Sequence, residues 1–134
     1  MTIFRTLVPG VFVTGQIHVD QLQVIVGEGV RRIVNNRPDR EEPGQPTSAE
    51  LETAARAAGL DYVHAPTRGL PDASVVAAVA EALQDGEPVL LFCKSGMRSA
   101  AAWALATRQS GERSRDEILM ATAGAGFDLG GLPL

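Results

Sequence analysis

The 134-residue sequence has little cysteine, little histidine and no surplus of positive charge. A single cysteine, Cys93, rules out a disulfide within the chain and a cysteine-rich zinc site. Two histidines, His18 and His64, stand without clustered carboxylates, which argues against a metal centre. Lys and Arg total 12 against 16 Asp and Glu, for a net charge of −4. With no basic surplus to neutralise phosphates, neither nucleic acid nor an anionic membrane surface is expected as a general partner. One locally positive pocket remains compatible with that balance. No apolar run reaches the length of a membrane span. The opening Met1-Thr2-Ile3-Phe4-Arg5 lacks the apolar stretch of a signal peptide. A cytoplasmic location is therefore expected, where a lone reduced thiol is chemically at home.

What is present is the balance of a globular protein, with 45% hydrophobic and 21% charged residues. The length predicts a single domain over residues 1–134. Strand-like and helix-like segments alternate. Strands are expected at 11–14, 32–35, 62–65 and 88–92. A first helix is expected over 20–27. Thr47 and Glu50 form a capping-box pattern ahead of a helix that stops at Gly59. Asp72 is placed to cap a helix carrying Val75, Val76, Val79 and Leu83. Further helices are expected over 99–108 and, behind a second box at Ser114 and Glu117, to about Ala123. The Gly-rich tail from Gly124 is assigned no regular structure. Such alternation predicts an α/β fold, a parallel-type central sheet flanked by helices. Ligands in such folds sit beyond the carboxyl ends of the strands.

The run Cys93-Lys94-Ser95-Gly96-Met97-Arg98 lies at that place, between the buried strand ending at Phe92 and the next helix. Loop N–H groups there lack carbonyl partners and converge on one point, and the helix dipole adds positive charge. Both effects favour a cysteine thiolate, so Cys93 is the expected nucleophile. Gly96 lets the loop turn tightly, and Arg98 supplies a fork suited to an anion. Ser99 is expected to donate to the sulfur or to cap the helix, and Lys94 to add charge while pointing outward. Ser95 and Met97 complete the cradle.

The pattern Cys93, Gly96, Arg98, Ser99 resembles the active loop of rhodanese-type sulfurtransferases. Over nearly the whole chain the sequence looks more like the bacterial beta-lactamase hydrolase-like, phosphatase-like family. That family is also found fused to persulfide dioxygenases. The landmarks include Val13-Thr14-Gly15-Gln16, Asn35-Asn36-Arg37-Pro38-Asp39, Glu41-Glu42-Pro43-Gly44, Trp103-Ala104-Leu105 and Gly126-Phe127-Asp128-Leu129. The resemblance implies a dual-specificity-phosphatase-like fold, and the family carries both phosphatase and sulfurtransferase labels. Protein tyrosine phosphatases have five residues between Cys and Arg; Cys93 and Arg98 have four between them. The shorter loop is expected to suit a single transferred sulfur better than a phosphoryl group. In phosphatases of this fold a general acid follows the third of these strands; Gly69 stands at the matching position, and Asp72 is the available carboxylate.

These two features make a sulfurtransferase the expected activity, with Cys93 carrying a persulfide between a thiosulfate or persulfide donor and a thiol acceptor. No cofactor is required, and a persulfide dioxygenase in trans is a possible partner. The alternatives are a phosphomonoesterase that works through a phosphocysteine, with Asp72 as its acid, and a non-enzymatic persulfide carrier. Arg37 and Asp39 form either a wall of the site or an Arg–Asp pair that holds their loop. Arg68 is either an anion-binding residue or a solvated loop residue. His64 reads as a satisfied face histidine, His18 as a cap or surface residue, and Trp103 as core.

Overall fold

The structure is a computed structural model and describes residues 4–134. Met1, Thr2 and Ile3, part of the segment examined for a leader, lie outside the described residues. Five short strands form one sheet in the order β1-β2-β5-β3-β4. They are β1 Arg5–Val8, β2 Val11–Thr14, β3 Arg32–Asn35, β4 Asp61–His64 and β5 Val89–Phe92. β2, β5, β3 and β4 are parallel, and β1 is an antiparallel edge strand joined to β2. β1 is an addition to the expected strands: Pro9 and Gly10 turn a four-residue segment back onto β2. A turn of 3-10 helix at Val19–Gln21 leads into α1 Leu22–Gly27, so the segment expected as one helix is divided. The other helices are α2 Ser48–Ala57, α3 Ala73–Leu83, α4 Met97–Ser110 and α5 Arg115–Gly124. Among the described residues no helix is long and apolar enough to cross a membrane.

Strand alternation divides the core into two faces. On β5, Leu90 and Phe92 pack with Ile25 of α1 and Leu51 of α2, whereas Val89 and Leu91 face Val79 of α3 and Ala102 of α4. All four β5 residues are buried, as expected of a central parallel strand. Trp103 of α4 is buried with Val13 and Ile118 of α5. The caps form at the predicted residues, but at Thr47 the box is one-sided, the Glu50 carboxylate accepting from Thr47 Oγ1 at 3.1 Å. Thr47 Oγ1 accepts from Glu50 N, Asp72 accepts from Val75 N, and Ser114 and Glu117 form a reciprocal box. The parallel register places Thr14, Phe92, Asn35 and His64 side by side at the carboxyl ends of their strands. The loops leaving those four residues surround Cys93.

Candidate active site

Cys93 follows the last residue of β5 and is fully buried. Gly96 adopts φ +97° and is the N-cap of α4, so the helix begins at Met97, two residues earlier than expected. The left-handed turn points the Gly96 N–H back at the Cys93 Sγ, 3.1 Å away. A residue with a Cβ is strained in that conformation. The next amide, Met97 N at the start of α4, donates to Ser95 Oγ at 3.4 Å. On the far side, Gln16 N donates to Lys94 O at 3.3 Å. A Cβ on Gly15 would lie 2.8 Å from Lys94 O, so the β2 loop approaches the cysteine loop backbone to backbone.

Arg98 reaches across two other loops. Its Nη1 and Nη2 donate to Glu41 Oε2 and Oε1, both at 2.8 Å, and Nη1 also donates to Thr67 O at 2.8 Å. A guanidinium has five N–H donors. These three bonds occupy its Nη1 side and tip, leaving the Nε–Nη2 edge for an anion. The Arg98 cation is held protonated beyond its ordinary range by these bonds to Glu41, against the opposing effect of burial, and next by the adjacent Cys93 sulfur. The same Arg98 guanidinium, with Arg37, draws the Glu41 carboxyl from the usual carboxylate range down to about 2, despite partial burial.

Arg37 stands behind this bridge. Nε donates to Glu41 Oε1 at 2.9 Å, Nη2 to Glu42 Oε1 at 2.7 Å and Nη1 to Gln16 Oε1 at 2.9 Å. Glu42 in turn lies 3.5 Å from Lys94 Nζ. A chain of alternating charge, Arg98, Glu41, Arg37, Glu42, Lys94, thus leaves the cysteine loop and returns to it.

Several expectations are corrected by this geometry. Arg37 is a buried brace committed to three partners, not an open anion-binding wall, and it does not pair with Asp39. Asp39 instead accepts from Ser48 N at 2.8 Å, at the start of α2. Ser99 neither caps α4 nor donates to the sulfur: its Oγ donates to the Asn36 Oδ1 at 2.8 Å, inside the protein. The Asn36 amide group also donates to Ala65 O. Asp72 caps α3, and the Val75 N–H, then Ser74, hold its carboxyl below the usual range, which disfavours a proton-donating role. Lys94, Ser95 and Met97 are exposed around the sulfur, and Lys94 points outward as expected. Arg68 is exposed, next to the Thr67 that holds Arg98. His64 is exposed, with Nε2 2.9 Å from Arg37 O. His18 occupies the cap position of the 3-10 turn, its N–H donating to Gln21 Oε1. Among the described residues no group of three His, Cys, Asp or Glu is arranged to hold a metal ion. Glu41 is not among the expected site residues; its sequence signals are its place in the charged stretch from Arg37 to Glu42 and in the landmark Glu41-Glu42-Pro43-Gly44.

The model of the family described as "Beta-lactamase hydrolase-like protein, phosphatase-like domain" matches residues 3–112. A beta-lactamase hydrolase-like protein of Xylella fastidiosa is 37% identical over 120 residues, covering 88% of this chain and 28% of that protein. The chain thus spans just over a quarter of the length of the curated relatives it matches. A crystal structure of a candidate phosphatase from Neisseria meningitidis superposes with a TM-score of 0.79 at 26% identity, covering 96% of this chain and 92% of that one. The active form of Tk-PTP shares the fold, with a TM-score of 0.71 at 20% identity over 92% of this chain and 84% of that one. These findings overturn the sulfurtransferase expectation and favour its phosphatase alternative. The expectation rests on the six-residue loop and on Gly69 at the position of a general acid. In the folded chain three loops meet around Cys93, because Arg98 extends to Glu41 and Thr67.

Proposed function

The chain belongs to the phosphatase-like domain family of beta-lactamase hydrolase-like proteins, and from that premise we propose that it is a cysteine-dependent phosphomonoesterase. The observation that carries the reading is the placement of the Cys93 sulfur under the Gly96 N–H, beside an Arg98 whose Nε–Nη2 edge is left for two phosphate oxygens. In the first step the Cys93 thiolate attacks phosphorus. The S–P bond forms as the P–O bond to the leaving group breaks, with its electron pair going to that oxygen. Arg98 and the amides of the loop take the charge of the equatorial oxygens. Water then attacks the phosphocysteine, releases phosphate and restores the thiolate.

Glu41 and Asp72 are both biased toward their ionised forms, so neither is suited to protonate the leaving oxygen. The reaction therefore favours a leaving group that departs as a weakly basic anion, such as a phenolate, which takes its proton from solvent. Leu70, three residues past the Thr67 that holds Arg98, and Met97, the first residue of α4, are exposed apolar side chains that would offer surface to an aromatic ring. Phosphate release from a generic aryl phosphate tests the reading. Cys93→Ser is expected to lower kcat by on the order of a thousandfold or more. Equal release by the wild-type and Cys93→Ser proteins would overturn it.

A further inference from the structure

The family match ends at residue 112, yet a side chain beyond it touches the cysteine loop. α5 ends at Gly124, and Gly126 at φ +94° reverses the chain so that Phe127 turns inward. A Cβ built on Gly96 would lie 3.0 Å from Phe127 Cζ, 3.4 Å from Thr14 O and 3.5 Å from Phe127 Cε1. The tip of the Phe127 ring and a β2 carbonyl therefore close off the space that a Gly96 side chain would occupy. Phe127 is itself held. It is buried with Val13, Ala100 and Trp103, and its N–H donates to Thr122 O. Arg5 from the edge strand donates to Ala125 O at 2.6 Å, and its guanidinium carbon lies 5.8 Å from the centre of the Phe127 ring. A Cβ on Gly126 would collide with that same guanidinium.

We propose that Phe127 is a positioning residue for the nucleophile: its ring tip holds Gly96 in the left-handed turn that keeps the Gly96 N–H on the Cys93 sulfur. A glycine is free to leave that conformation, because it has no side chain to anchor it. The hydrogen bond to sulfur is therefore only as well fixed as the surfaces packed against Gly96. For catalysis the inference rests on the phosphomonoesterase reading; for the state of the sulfur it stands apart from it.

Two substitutions alter the ring tip while keeping the site apolar or aromatic. Phe127→Leu removes the contact with Gly96, and Phe127→Tyr adds a hydroxyl at Cζ that would press into it. The control is Leu129→Ala, in the same tail and the same buried group as Phe127. The thiolate fraction at neutral pH is read by ultraviolet absorbance, which the single cysteine makes unambiguous. Melting temperature, kcat and KM on an aryl phosphate complete the comparison. Both Phe127 variants are expected to lose thiolate and to lose about tenfold in kcat, with KM within about twofold, the scale of one weakened hydrogen bond to a charged group. Leu129→Ala is expected to lower the melting temperature and leave the thiolate fraction in place. If the Phe127 variants change the thiolate fraction no more than Leu129→Ala does, Phe127 is core packing alone and the inference fails. Should the wild-type protein hydrolyse no aryl phosphate, the phosphomonoesterase reading falls, and the thiolate comparison still decides the role of Phe127.

Discussion

The Arg98 guanidinium and the Glu41 carboxylate, 57 residues apart in the chain, meet in a two-point bridge with both N···O distances at 2.8 Å. The side chains are mostly buried, and Glu41 Oε1 also accepts from Arg37. The bridge ties the loop after β3 to the loop after β5. It also fixes which edge of Arg98 faces the sulfur. Glu41→Gln keeps the shape and removes the charge. It is expected to lower stability by about 1–3 kcal/mol, between the values for exposed and buried pairs. Its kcat is expected to fall as Arg98 loses its fixed orientation. Denaturant unfolding together with kinetics checks both; unchanged kcat would remove Glu41 from the account.

The same bridge predicts acid sensitivity. The Glu41 carboxyl is lowered from 4.5 to about 2 in the folded chain, first by Arg98. A depressed folded value means that the stabilisation is complete above the unfolded value and is lost as pH falls from about 4.5 toward about 2. Its full size is on the order of 3 kcal/mol. Asp85, held by Arg32 at the opposite end of the sheet, is also lowered to about 2 and contributes in the same window. Stability measured against pH is expected to drop there, and less steeply in Glu41→Gln than in the wild type.

Arg98→Lys preserves charge and discards the fork. A lysine can neither grip Glu41 at two points nor present a second edge to phosphate. Hydrolysis is expected to fall by about a hundredfold, the scale of one lost charge-stabilising donor pair. Activity within a few-fold of wild type would show that a point charge suffices and that the orientation set by Glu41 is irrelevant.

Asp72 separates capping from acid catalysis. Its carboxylate accepts from Val75 N at 3.0 Å. Asparagine caps a helix about as well as aspartate, whereas alanine costs roughly 1 kcal/mol. Asp72→Asn is expected to keep stability and aryl phosphate hydrolysis; Asp72→Ala is expected to lose stability only. A large fall in kcat for Asp72→Asn, with its alkaline limb gone from the pH profile, would restore Asp72 as the proton donor.

Ser99→Ala tests the buried link between α4 and the end of β3. The Ser99 hydroxyl donates to Asn36 Oδ1, and both residues are fully buried. Removing the donor leaves that oxygen unpaired, with an expected cost of about 1–3 kcal/mol seen in urea unfolding. A loss below the error of that experiment would mean that another donor replaces the hydroxyl.

The position of Cys93 was legible because local rules set it: a continuous apolar run, a glycine and an arginine at the entrance to a helix. The caps at Thr47, Asp72 and Ser114 were legible for the same reason, since each bond spans three residues. The partners of Arg98 were not. Glu41 and the Thr67 carbonyl reach it through loops whose paths depend on the whole sheet. The role of Ser99 is hidden from local pattern because the left-handed Gly96 starts α4 at Met97 and turns the serine inward toward Asn36. β1 alternates weakly, so its pairing with β2 carries the information that its own sequence does not. The expectation of sulfur transfer rests on loop length and on Gly69 in place of an acid, and the family and fold likeness favours phosphorus instead. A wall contributed by neighbouring loops cannot be seen in one motif.

The central claim is that a phosphoryl group passes through Cys93. Rapid mixing with a phosphorus-labelled aryl phosphate, acid quenching and mass mapping test it directly. The account predicts label on Cys93 during turnover, chased off by unlabelled substrate and absent from Cys93→Ser. Phosphate release with no label on Cys93, or label mapped to another residue, would contradict it.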